Sequence, residues 1–180
     1  MVGHGANLTV DELLAKDAIR DLVLSYCRAI DRRDFELLGT LYAADSTDDH
    51  GAMFSGTGAA YVAWVPGILE RMLVTSHQVF NHLIVVDGDY AEGEVYIQAY
   101  HLTHDSEGQL VKVIGGGRYL DKYCRENGRW LFRHRKIVTD YELKLDAEGT
   151  ADDLMVGTNT GGYRESDPSH DFFRLLGAKS

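Results

Sequence analysis

The sequence predicts an α+β domain in which N-terminal helices pack over one face of a curved antiparallel sheet. Three observations point there. Apolar residues recur at helical spacing only before Met72. From Ser76 onward they alternate with period two. Turn-forming clusters then separate four such runs, so helices and strands are segregated along the chain, which argues for α+β rather than α/β.

The first helix is expected over Val10–Asp31, because Ile19, Leu22, Val23, Tyr26 and Ile30 share one face. Thr9 ahead of Asp11 and Glu12 has the chemistry of an N-cap. A second, short helix is expected over Asp34–Tyr42, burying Phe35, Leu38 and Leu41. A turn-rich stretch of Asp, Ser, Thr and Gly follows up to Gly58. A third helix is expected from Thr57 toward Met72, kinked or restarted at Pro66, because proline lacks an N–H and crowds the preceding turn. The strands are expected at Ser76–Val86, Ala91–His104, Gln109–Glu126 and Gly128–Leu143. Asn127-Gly128 is a strong hairpin signal. Gly115-Gly116-Gly117 falls inside a strand and is read as a bend or bulge that lets the sheet curl.

A length of 180 residues fits one domain, with a core over about residues 10–145 and a polar tail over 146–180. The tail carries an apolar knot, Phe172, Phe173, Leu175 and Leu176, expected to dock on its own domain or on a neighbouring subunit. The composition is 44% hydrophobic and 26% charged, which excludes a disordered or collagen-like chain. Net charge is −10 and no basic run offsets it, so nucleic acid is excluded as a partner. No apolar stretch is long enough to span a membrane, and no signal peptide opens the chain. Cys27 and Cys124 lie far apart without metal-ligand or redox spacing, and the expectation is a cytoplasmic protein with reduced thiols. Tyr96, Gln98 and Tyr100 make a half-aromatic outer sheet face, from which a homo-oligomer, dimer or trimer, is expected.

Alternation places His77, Val79, Asn81, Leu83 and Val85 on one face of the first long strand. Val95, Ile97, Ala99 and His101 share a face of the next. Two histidines on mainly apolar faces of adjacent strands can point into one cavity, or each can be a core histidine satisfied by a carbonyl. Asp31 closes the first helix, where its charge opposes the helix dipole. It is either a solvated residue of the Asp31-Arg32-Arg33-Asp34 turn or the partner of a buried histidine. In the second case it fixes the imidazole tautomer and makes that histidine a general base. No Gly-x-Ser-x-Gly elbow, phosphate loop or His-Glu-x-x-His motif is present, so no metal site and no cofactor are expected.

The Ala18-Ile19-Arg20-Asp21-Leu22 helix running on to Tyr26, the Ala29-to-Phe35 turn, the His77-x3-Asn81 strand and the Gly116-Gly117-Arg118-Tyr119 strand together resemble the SnoaL-like branch of the nuclear transport factor 2-like superfamily. The resemblance covers Val10 to Leu143. It implies a cone-shaped α+β barrel, three helices on a strongly curved mixed or antiparallel sheet enclosing an apolar pocket. Within the branch the motifs are most similar to those of scytalone dehydratase, hexachlorocyclohexane dehydrochlorinase and bile acid 7α-dehydratase, all lyases that need no cofactor. The resemblance implies catalytic roles for Asp31, His77, Tyr26 and His101. It implies substrate contacts at His50, Phe54, Trp64, Asn81, Ile97, Ala99 and Arg118. His50 stands where scytalone dehydratase has an active-site Tyr, and Thr139 stands where the bile acid enzyme has a catalytic Arg. The expected function is a cofactor-independent lyase acting on a small hydrophobic, cyclic substrate. The alternatives are an isomerase or polyketide cyclase using the same pocket, or a non-catalytic small-molecule binding protein.

Overall fold

A computed structural model describes residues 8–147 and 158–173. The helices are α1 (Val10–Arg32), α2 (Phe35–Gly39) and α3 (Gly58–Leu69). The strands are β1 (Tyr42–Asp49), β2 (Ser55–Thr57), β3 (Met72–Asp87), β4 (Tyr90–His104), β5 (Leu110–Glu126) and β6 (Arg129–Asp146). A 3-10 turn at Arg164–Ser166 and a short helix α4 (Pro168–Phe172) follow.

The long helix begins as its sequence dictates. The Thr9 hydroxyl accepts the Glu12 N–H at 3.2 Å and the Glu12 carboxylate accepts the Thr9 N–H at 2.7 Å, a reciprocal cap. The helix ends where Arg33 takes a left-handed backbone, φ 56°. One face of α1 buries Ile19, Leu22, Val23, Tyr26 and Ile30 against β3 and β6.

The six strands form one open sheet in the order β2-β1-β6-β5-β4-β3. Strands β3 to β6 are an antiparallel meander, but β1 runs parallel to β6, which makes the sheet mixed. The result is a cone-shaped α+β fold whose sheet does not close into a barrel. β1 and β2 correct the expectation of a turn-rich loop. Helix α2 stops at Gly39, and Tyr42 pairs with Phe132 of β6, because that strand has an unpaired edge to offer. Helix α3 runs past Pro66 without a break, so the helix does not restart there.

Two register shifts shape the concave face. In β5–β6 one falls between Gly116 and Gly117. A Cβ on Gly116 would enter the Tyr141 ring, and one on Gly117 would meet the Val138 carbonyl. The triple glycine therefore permits the bend. In β3 the shift falls between Val79 and His82, which exchanges the two faces beyond it. Ile84 is buried there, while Asn81, Leu83 and Val85 are exposed, against the uniform alternation the sequence implies.

The segment after Gly161 docks on the domain through Tyr163, Asp167 and Ser169. Phe172 is 78% exposed, and Leu175 and Leu176 lie outside the described residues. No helix among the described residues is long and apolar enough to cross a membrane. Cys27 and Cys124 are both unpaired.

Candidate active site

The end of α1 and the first half of β3 bring Asp31 and His77 together. Asp31 Oδ1 lies 2.6 Å from His77 Nδ1, and Asp31 Oδ2 accepts the His77 backbone N–H at 2.8 Å. A carboxylate only accepts, so Nδ1 carries the proton, and in the neutral imidazole Nε2 then keeps its lone pair. Both N–H groups of one residue therefore hold one carboxylate, and they offset the unfavourable place of that charge at a helix C-terminus. The two side chains are 11% and 13% exposed for His77 and Asp31, enough for a group outside to reach the imidazole edge.

His101 faces His77 across the β3–β4 pair, with ring centroids 5.7 Å apart and the planes nearly perpendicular. Its Nδ1 lies 2.9 Å from the hydroxyl of Thr75, its partner in the ladder. Burial pushes the His101 pKa down to about 4, the neighbouring His77 adds to this, and Asp31 only partly opposes it. His101 is therefore neutral near pH 7 and offers one N–H and one lone pair. Ala99 lies opposite His77 in the ladder and Ile97 opposite Val79, both buried on the same concave face.

Tyr26 is placed differently from its expected role. Its hydroxyl shares a 2.6 Å hydrogen bond with Tyr61, and among the described residues none joins it to Asp31 or His77. Its ring packs on the guanidinium of Arg135, which also lies 4.1 Å from the Tyr119 and Phe132 ring centroids. Arg135 is fully buried, and its Nε and Nη2 donate to Asp121 at 2.8 and 2.7 Å. Burial drives the Tyr26 pKa well upward, so the hydroxyl stays protonated.

His50, Phe54 and Trp64 form a second cluster around Tyr61. His50 stacks on Tyr61 with centroids 4.9 Å apart, and Phe54 lies 5.1 Å from Trp64. Beneath them Asp48 is fully buried; it accepts the Tyr42 hydroxyl at 2.6 Å through Oδ2. Its Oδ1 sits 2.6 Å from His50 Nδ1, a close approach without hydrogen-bond angles. This second Asp–His pair was not anticipated, nor were Arg135 and Asp121. Asp121 shares the inward alternation of Tyr119 and Tyr123, a usable signal. Arg135 does not, because the register shift between Lys122 and Tyr123 turns it inward.

Two expected substrate contacts lie elsewhere. Arg118 is on the opposite sheet face, across from Tyr96, and is bound by Glu94 at 2.8 Å and Asp140 at 3.0 Å. Asn81 sits at the β3 bulge and is exposed. Two concavities of about 260 and 310 Å³ lie apart from the dyad. One is lined by Arg33, Phe35 and Tyr163 among others, the second by Lys122, His134 and Lys136. The expected apolar pocket is thus not among them. No three His, Cys, Asp or Glu side chains gather in metal-binding geometry among the described residues.

The profile of the SnoaL-like domain matches residues 11–136, more than half of the chain. The chain belongs to the SnoaL-like family. A scytalone dehydratase-like protein from Novosphingobium aromaticivorans superposes on this SnoaL-like chain with a TM-score of 0.69 and 24% identity, covering 81% of it and 100% of the neighbour. A hexachlorocyclohexane dehydrochlorinase from Novosphingobium barchaimii gives a TM-score of 0.69 at 18% identity, covering 77% and 94%. At these identities the likeness is one of fold. An uncharacterised protein of Mycobacterium tuberculosis is 30% identical over 90 residues, 49% of this chain and 61% of that relative. The match therefore spans less than two thirds of the relative's length.

Proposed function

We propose that this SnoaL-like protein is a cofactor-independent lyase that begins an elimination on a small hydrophobic, cyclic substrate by removing a proton next to a carbonyl or leaving group. The double attachment of Asp31 to His77 carries the reading. It leaves His77 Nε2 as the base, and the adjacent carboxylate stabilises the imidazolium that forms. His101 is the second participant. When the Thr75 hydroxyl donates to Nδ1, its Nε2–H is free to donate to the developing enolate or to the departing group. Tyr26, engaged with Tyr61 and Arg135, takes no part in this scheme. Ile97 and Ala99 beside His77 supply apolar surface for the substrate ring. The names of the fold neighbours, a dehydratase and a dehydrochlorinase, support elimination over isomerisation or cyclisation.

Proton abstraction is testable before the substrate is known. Cyclic ketones incubated with the protein in D2O should exchange the α-proton, followed by ¹H NMR. His77→Gln should slow that exchange by about 10²–10⁴-fold, the usual contribution of a positioned base. Equal rates in the wild type and the variant would refute the role of His77.

A further inference from the structure

We propose that the segment Gly162–Ser169 is a strap that fixes the geometry of the Asp31–His77 pair, with Tyr163 and Asp167 as its positioning residues. The proposal rests on the dyad reading above and extends the site to a part of the chain outside the matched family region, which ends at residue 136.

The dyad joins two elements that no strand ladder connects, the last turn of α1 and the start of β3. What holds these two together fixes the pair. Arg33 does so within the core of the fold, its Nη2 donating to the carbonyls of Leu69 at 2.9 Å and Met72 at 2.6 Å. It does this from a left-handed backbone, which a non-glycine residue keeps only when its surroundings enforce it. Its N–H bonds to the Ala29 and Ile30 carbonyls hold that backbone, and the strap holds its side chain. The Tyr163 ring lies under the Arg33 guanidinium, 3.7 Å from its centroid. The same tyrosine's hydroxyl donates to the Leu73 carbonyl, four residues before His77. β3 is an edge strand, and Leu73 sits at its first register shift, where the ladder leaves it without a partner. One side chain thus touches both elements that carry the dyad.

Asp167 anchors the other half. It is 5% exposed and accepts the N–H groups of Gly162 and Ser169, each at 2.9 Å, and the Ser169 hydroxyl. Its remaining contact is Arg32 Nε at 3.2 Å, on the residue next to Asp31. A buried carboxylate satisfied on all sides marks a docked segment, not a solvated one. Arg28, one turn earlier on α1, lies 3.5 Å from the Ser169 hydroxyl. Arg28, Arg32 and Arg33 surround the turn that presents Asp31, and the strap contacts all three. Displacement of a catalytic group by about 1 Å costs up to about 10²-fold in rate, so a clamp at this turn has leverage on the site.

The test reads the dyad directly. The His77 Nδ1–H proton, held against Asp31, should give a downfield ¹H signal that disappears in His77→Gln and moves upfield in Asp31→Asn. Its absence in the wild type, or its survival unchanged in Asp31→Asn, would overturn the dyad and the strap together. With the signal in place, Tyr163→Phe deletes one hydroxyl, and Asp167→Ala deletes the anchor. Both should speed solvent exchange of that proton at least tenfold without changing far-UV circular dichroism, and Asp167→Glu should restore the slow rate. Unchanged exchange in Tyr163→Phe, the variant least able to disturb folding, would overturn the strap while leaving the dyad standing.

Discussion

His101 and His77 are 5.7 Å apart and sit in different surroundings. His77 is tied to a carboxylate, whereas His101 pairs with the Thr75 hydroxyl and is kept neutral by burial, at a pKa of about 4. This has a consequence for stability. Between pH 6.5 and 4 the unfolded chain protonates this histidine and the folded chain does not, so folding stability falls as pH drops through that window. A shift of this size is worth up to about 3 kcal/mol. His82, half-buried and held down to about 4 by desolvation, shares the trend. Thermal melts over pH 7 to 4 should show a steeper loss in the wild type than in His101→Gln. Parallel curves would mean that His101 titrates normally.

Among the elements, β5 carries the tightest sequence constraint. Gly117 faces the Val138 carbonyl so closely that an added methyl must move backbone, not a side-chain tip. Gly117→Ala is therefore expected to cost about 1–3 kcal/mol, the range for overpacking, visible as a lowered urea midpoint at unchanged slope. A Gly115→Ala control meets nothing within 4 Å and should be nearly silent. Equal effects at both positions would show that backbone entropy, not contact, governs this strand. The fold of β5 and β6 also accounts for the buried Arg135. Asp121 neutralises it, and three aromatic rings close over it, so the pair anchors the cone beneath Tyr26.

At the scale of the molecule the convex sheet face stands out. Tyr96 and Tyr141 are 43% and 47% exposed, and Leu143 and Leu145 extend the same apolar row. Gln98 donates to the Tyr141 hydroxyl at 3.0 Å, which fixes that ring flat over Gly116. A contiguous face of this kind matches an oligomer interface better than solvent. Light scattering after size exclusion is expected to give a dimer or trimer, and Tyr141→Glu should shift it to monomer. A wild-type monomer would refute the interface.

How much of this was legible in the chain follows from which signals are local. The cap at Thr9, the helical period of α1, the Asn127-Gly128 turn and the alternation of β4 are properties of neighbours in sequence, and the structure has all four. The approach of Asp31 to His77 was legible only through the resemblance and the odd polarity of both positions, because 46 residues separate them. Other features were out of reach for the same physical reason. β1 is a strand because β6 presents an edge to it, although its own Asp, Ser and Thr residues read as a turn. Asn81 and Arg135 changed faces because a register shift is set by the pairing of two strands, not by either one's pattern. The partners of Tyr26, Tyr61 and Arg135, are likewise distant in sequence and could not be read from its helix. Local sequence sets the helices and the long strands; contacts between distant residues set whether a polar segment such as β1 becomes a strand, which way side chains point and with whom they act.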